Sequence, residues 1–134
     1  MEDKIAVVCV NHNSMDATYE YYESVCVAAK SANVFVDFVV VDNSPDSQVS
    51  ELKVRIGAGS SNVAAIILAS ENNGYFAGLN SGLEVVTSEV YKYRIVSNND
   101  IKLAESFFTD KILDQTCITE LNSGYAPDFS LSVK

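Results

Sequence analysis

From its amino terminus the chain alternates between two kinds of pattern. Lys4–Val10 (KIAVVCV) and Val34–Val41 (VFVDFVVV) are nearly continuous apolar runs rich in β-branched residues, as expected of strands covered on both faces. Val63–Ala69 and Tyr91–Ser97 predict two more strands. Between them apolar residues recur at helical steps. Met15, Tyr19, Tyr22, Cys26 and Ala29 follow the first strand, and Phe76, Leu79, Leu83 and Val86 follow the third. Ser14 or Asp16 is the expected cap of the first helix. Gln48–Ile56 predicts a short helix closed by Gly57, with Gly57–Ser61 as its exit loop. Residues 104–114 predict a last helix, and beyond Gln115 the pattern dissolves.

Strands alternating with helices in this order predict a three-layer α/β/α domain with a mainly parallel sheet. Residues 1–114 form that domain in this reading, and residues 115–134 an irregular C-terminal tail. Sheets of this kind bind ligands beyond the carboxyl ends of their strands. Polar clusters stand at those positions: NHNS at 11–14, DNSPD at 42–46, SENNG at 70–74 and NND at 98–100. The first loop has no G-x-G-x-x-G and no P-loop. It also lacks the acidic pair of a phosphoacceptor domain and the Ser/Thr/Gly-rich cradle of a flavodoxin.

Composition narrows the ligand. Nine Lys and Arg against eighteen Asp and Glu leave a net charge of −9 in 134 residues. Such a chain repels a phosphate backbone, so nucleic acid is not an expected partner, and a phosphorylated ligand would call for a bridging metal ion. No apolar run approaches the length of a membrane span, and no secretory leader is visible, so a cytoplasmic protein is expected. Cys9, Cys26 and Cys117 have no metal-ligand spacing, and with one histidine, His12, zinc is not expected. Buried free thiols are the expectation for the cysteines.

The segments IAVVCVNHNS (5–14), FVVVDNSPDS (38–47), ENNGYFAGLNSGL (71–83) and YRIVSNNDI (93–101) together resemble the N-terminal, donor-binding half of a family 2 glycosyltransferase. The resemblance implies a truncated fold of the nucleotide-diphospho-sugar transferase (GT-A) type. It also implies a donor such as a UDP- or dTDP-sugar, Mg²⁺ or Mn²⁺ as cofactor, and a surface glycan or lipid-linked acceptor. Work at the inner face of the membrane would suit such an acceptor. Carried over residue by residue, it places Asn11, Asn13, Asp42, Ser44, Asn73, Gly74, Asn80, Asn98 and Asn99 around the nucleotide and Asp100 on the metal.

Each assignment has physical content and a plainer rival. A carboxylate at a strand end can accept the imide N–H of uracil or thymine, which suits Asp42; equally, Asp42 can start a turn with Asn43 and Ser44. Asp100 is the one acid of Asn98-Asn99-Asp100 and could complete a hard-cation site with diphosphate oxygens; it could also cap a following helix. Gly74 permits a tight turn into a helix N-terminus. Gly78 and Gly82, four apart, allow close approach to either the sheet or a ribose. Asn73 and Asn80 suit nucleotide contact or helix-start capping. The tyrosines at 19, 21 and 22 read as core residues rather than sugar platforms, and His12 as a bystander.

An inverting transferase also needs a base to deprotonate its acceptor. Only Glu105, Asp110, Asp114, Glu120 and Asp128 follow Asp100, none in a recognisable acceptor-side motif, so no catalytic residue is assigned. Two functions therefore stand. One is a metal-dependent glycosyltransferase; the other is a non-catalytic nucleotide-sugar-binding or oligomerisation remnant, with a homodimer expected through an exposed edge strand.

Overall fold

The computed structural model describes residues 4–70 and 74–109, together with the backbone of Ser132–Val133. In chain order the elements are β1 (Lys4–Asn11), α1 (Met15–Ala32), β2 (Phe35–Asp42), α2 (Val49–Ile56), β3 (Val63–Ala69), α3 (Tyr75–Glu84), β4 (Tyr91–Val96) and β5 (Ser132–Val133). They form one sheet in the order β3-β2-β1-β4-β5. The first four strands run parallel, and β5 pairs antiparallel with β4 at Tyr93 and Arg94.

Strand alternation sorts the apolar side chains into two layers. Ile5, Val7 and Cys9 of β1 join Val36, Phe38 and Val40 of β2 on the face that carries α1 and α2. Ala6, Val8 and Val10 join Val39 and Val41 on the face that carries α3. Because β1 and β2 are covered on both sides, their sequences are continuous rather than alternating. Tyr21 and Tyr22 pack on Phe38 with ring centroids 5.6 and 5.5 Å apart. Tyr19 lies under the Arg55 guanidinium at 4.7 Å. The tyrosine cluster is therefore core and helix surface, as the sequence suggested.

One charge lies within the apolar runs. Asp37 faces the α3 layer near the amino end of β2 and is 6% exposed. It accepts the Tyr91 hydroxyl and pairs with Lys4 Nζ at 3.6 Å, which satisfies the buried carboxylate.

The predicted elements differ from the observed ones mainly at their ends. Ser14 sits at the N-cap position of α1 but makes no cap bond, and Asp16 pairs instead with Arg55 at 2.5 Å. Phe76, predicted on the buried face of α3, is exposed. The helix predicted over 104–114 appears as helical backbone only at 107–109 among the described residues. Its remainder, Asp110 and Asp114 included, lies outside them, as do Asn73, Cys117, Glu120 and Asp128. Cys9 and Cys26 are free thiols. Burial pushes the Cys9 thiol far above its ordinary range, so it stays protonated. Among the described residues no helix is long and apolar enough to cross a membrane.

Candidate functional site

The parallel strands all end on one rim, and the polar clusters are wired together there. Asn11 and Asp42 are the last residues of β1 and β2 and stand in register. The Asn11 side chain is fully buried and bonded at both ends of its amide. Its Nδ2 donates to Asp42 Oδ1 at 2.9 Å and Gln48 Oε1 at 2.8 Å. Its Oδ1 accepts the Thr18 hydroxyl at 2.7 Å. Across the rim, Asn99 Nδ2 donates to Thr18 Oγ1 and Ser14 Oγ, both at 2.7 Å. One network thus ties the loop after β4 to α1, β1, β2 and the start of α2.

Asp42 is 2% exposed. Its Oδ1 also accepts the Ser44 hydroxyl at 2.7 Å, and its Oδ2 accepts the Gln48 backbone N–H at 2.7 Å. The turn reading of Asp42 is therefore realised: the carboxylate closes the 42–48 loop and satisfies a donor where α2 begins. One acceptor direction on Oδ2 is left for anything else. The loop after β3 joins through Ser70, whose hydroxyl donates to Asn43 Oδ1 at 3.2 Å. No buried side-chain nitrogen or oxygen among the described residues lacks a partner.

Above this floor stands the first loop. Asn13 has φ 50°, a left-handed turn conformation that Asn tolerates, and its N–H donates to Ser44 Oγ at 2.9 Å. His12 is exposed, and its Nδ1 lies 3.0 Å from the carbonyl oxygen of Asn43.

At the far side of the rim Asn98 accepts the Tyr75 hydroxyl at 2.7 Å. Burial first, with the Asp100 charge adding to it, pushes Tyr75 up to about 12. Asp100 is exposed, and no helix begins in the residues directly after it, so it caps nothing. Its carboxylate has no hydrogen bond or ion pair among the described residues. No three His, Cys, Asp or Glu side chains among those residues could hold a metal between them. A lone exposed carboxylate fits a hard cation shared with a ligand's own phosphate oxygens, and does not fit a closed protein cage.

Gly74 has φ 94° at the N-cap of α3, the tight turn its position suggested. Gly78 and Gly82 prove to be packing residues. A Cβ on Gly78 would lie 3.0 Å from Val10 Cγ2, and one on Gly82 would lie 2.5 Å from Val8 Cγ1. Asn80 is exposed inside α3, too far from the helix start to cap it, and no hydrogen bond among the described residues ties it to the network. The sequence reading missed Thr18 and Gln48. Thr18 is the one non-aromatic polar residue on the buried face of α1, a signal that could have marked it.

Solved structures share this fold. S. aureus TarS 1-349 matches with a TM-score of 0.64 at 16% identity, over 82% of this chain and 31% of that one. S. aureus TarS matches with a TM-score of 0.59 at 17% identity, over 87% of this chain and 19% of that one. TarS is a GT-A-like glycosyltransferase. The fold is GT-A. The sequence resemblance is borne out at the level of the fold, and the chain spans about a third or less of the length of the TarS chains it matches. No protein-family model matches the chain, and no curated protein matches it in sequence. The described network lies at the carboxyl-end rim of this fold, and Asp100 follows its member Asn99 in the chain.

Proposed function

We propose that the chain binds a nucleotide-diphospho-sugar of the UDP or dTDP type together with Mg²⁺ or Mn²⁺, as the donor-binding part of a glycosyltransferase. The observation that carries this reading is Asp100, an exposed carboxylate with no hydrogen bond or ion pair among the described residues, next in the chain to a fully bonded polar floor on a GT-A rim. Every buried group of the floor is satisfied internally, so it is rigid, and Asp100 is left to act outward. The base would sit over the loops after β1 and β2, where Asn11, Asp42 and Ser44 form the floor and Asn13 the upper edge. The diphosphate would extend toward Asn98, Asn99 and Asp100, near Gly74 at the start of α3. A divalent cation there offsets the repulsion a diphosphate meets from a protein of net charge −9. The sugar would go to a glycan or lipid-linked acceptor, at the cytoplasmic face of the membrane.

The second reading keeps donor binding and drops transfer. It is favoured by one observation: after Asp100, Glu105 is the only acid among the described residues, so no acceptor base stands beside the clamp there. Calorimetry with UDP and dTDP, with Mn²⁺ and with EDTA, tests donor binding. Heat of binding that depends on Mn²⁺ is expected. Equal heats in both conditions would remove the metal from the proposal, and no heat in either would remove the site.

A further inference from the structure

The floor of the rim offers the imide of a base one free acceptor direction, on Asp42 Oδ2, and that residue is almost wholly buried. Asp42, the residue whose chemistry suits that role best, is 2% exposed and already accepts bonds from Asn11, Ser44 and the Gln48 N–H. Asn11 is fully buried and bonded at both ends of its amide. Next to Asn11 in the chain, and bonded to the residue after Asp42, stands an exposed group with the required chemistry.

His12 Nδ1 lies 3.0 Å from the backbone carbonyl of Asn43. A carbonyl oxygen can only accept, so Nδ1 carries the proton in this bond. In the neutral ring the proton is then absent from Nε2, which keeps a lone pair on the edge turned away from Asn43. The anchor is firm. Asn43 is itself buried at 4% exposure, and its N–H donates to the Asn11 carbonyl at 2.7 Å. The loop is pinned on the other side by Asn13 N–H to Ser44 Oγ at 2.9 Å. A backbone carbonyl thus sets the tautomer, and a rigid turn sets the position. In that tautomer Nε2 of the neutral ring is a hydrogen-bond acceptor on an exposed residue just past the carboxyl end of β1.

We infer that Nε2 of His12 is the acceptor that selects an imide base, uracil or thymine, over cytosine at this rim. The inference rests on the proposed nucleotide binding and deepens it. Uracil and thymine present N3–H, which donates to a lone pair. Cytosine presents a bare N3 at the same place, so two lone pairs would face each other. A neutral acceptor also adds no charge to a rim that must admit a diphosphate.

The test uses the full chain in Mn²⁺ and three probes: UDP, N3-methyl-UDP and CDP. N3-methylation removes the donor while keeping ribose, diphosphate and ring. One neutral hydrogen bond corresponds to about a three- to ten-fold difference in Kd. Wild-type protein is expected to bind UDP that much tighter than either other probe. His12→Phe, which keeps a planar ring and loses the acceptor, should bind all three alike. His12 is exposed, and circular dichroism would confirm that the variant folds; the wild-type comparison needs no variant at all. Equal affinity of wild-type protein for UDP and N3-methyl-UDP would overturn the inference and leave nucleotide binding standing. So would a UDP preference that survives in His12→Phe, which would return the role to the remaining acceptor direction of Asp42. Absence of binding by every probe would overturn the inference together with the reading it rests on.

Discussion

Replacing Gly82 with alanine sets two physical effects against each other. In an exposed helix interior, Gly→Ala stabilises by about 1 kcal/mol, because glycine loses the most backbone entropy on folding. Position 82 is in the interior of α3 but faces the sheet. The added Cβ would stand 2.5 Å from Val8 Cγ1, 3.0 Å from Val41 Cγ2 and 3.6 Å from Val39 Cγ1. Carbon atoms rest about 3.5–4.0 Å apart, so the first contact overlaps by about 1 Å. All three valines are at 0% exposure, and β-branching leaves them no ready rotamer to escape into. Relief must come from lifting α3, an overpacking cost of about 1–3 kcal/mol. The net expectation is a loss of up to about 2 kcal/mol. At Gly78 the single tight contact is 3.0 Å to Val10 Cγ2, so Gly78→Ala should fall close to neutral. Asn80→Ala, exposed on the same helix, should gain a few tenths of a kcal/mol and report propensity alone. Urea unfolding with unchanged slope m measures all three. A Gly82→Ala protein more stable than wild type would refute close α3–sheet packing.

Other outcomes follow from the wiring of the rim. Thr18→Val keeps the shape but removes the hydroxyl between Asn11 Oδ1 and Asn99 Nδ2, and should cost about 1–3 kcal/mol in urea unfolding. Asp42→Asn replaces one acceptor oxygen of a buried carboxylate with an NH₂ donor that faces other donors; it should cost a similar ~1–3 kcal/mol, so its effect on nucleotide affinity must be measured where the variant is fully folded. Burial first, and then the Asp37 bond and charge, push Tyr91 up to about 12. A tyrosine raised on folding contributes stability that is complete below pH 10 and lost as pH rises toward 12. Thermal melts should therefore fall across that window, and less steeply in Tyr91→Phe, which lacks the titrating group.

Much of the fold was legible because the sheet is buried on both faces. Nothing but strands accounts for KIAVVCV and VFVDFVVV between helical patterns, and turn-rich loops mark their carboxyl ends. The exceptions have local causes. Asp37 interrupts an apolar run, and its partners Tyr91 and Lys4 come from other strands, so no local pattern announces it. β5 is two residues long and pairs with a strand far earlier in the chain, which leaves no periodicity to read. The location of the candidate site was legible from position alone. Its wiring was not, because a strand-end aspartate that starts a turn and one that faces a ligand look alike in sequence. Only the partners of Asp42 Oδ1 and Oδ2 distinguish the turn. The capping alternative for Asp100 was likewise removed by its surroundings, since no helix begins directly after it.

The central claim is a cation shared between Asp100 and a nucleotide diphosphate. Free Mn²⁺ gives an electron paramagnetic resonance signal that shrinks when the ion is bound. With UDP present at a level that leaves much of the Mn²⁺ free, adding the wild-type chain should diminish the signal well beyond the effect of UDP or protein alone. Asp100→Asn, folded and at the same concentration, should abolish that extra loss. An equal loss of signal with Asp100→Asn, or no loss beyond that of UDP and wild-type protein measured separately, would contradict the account.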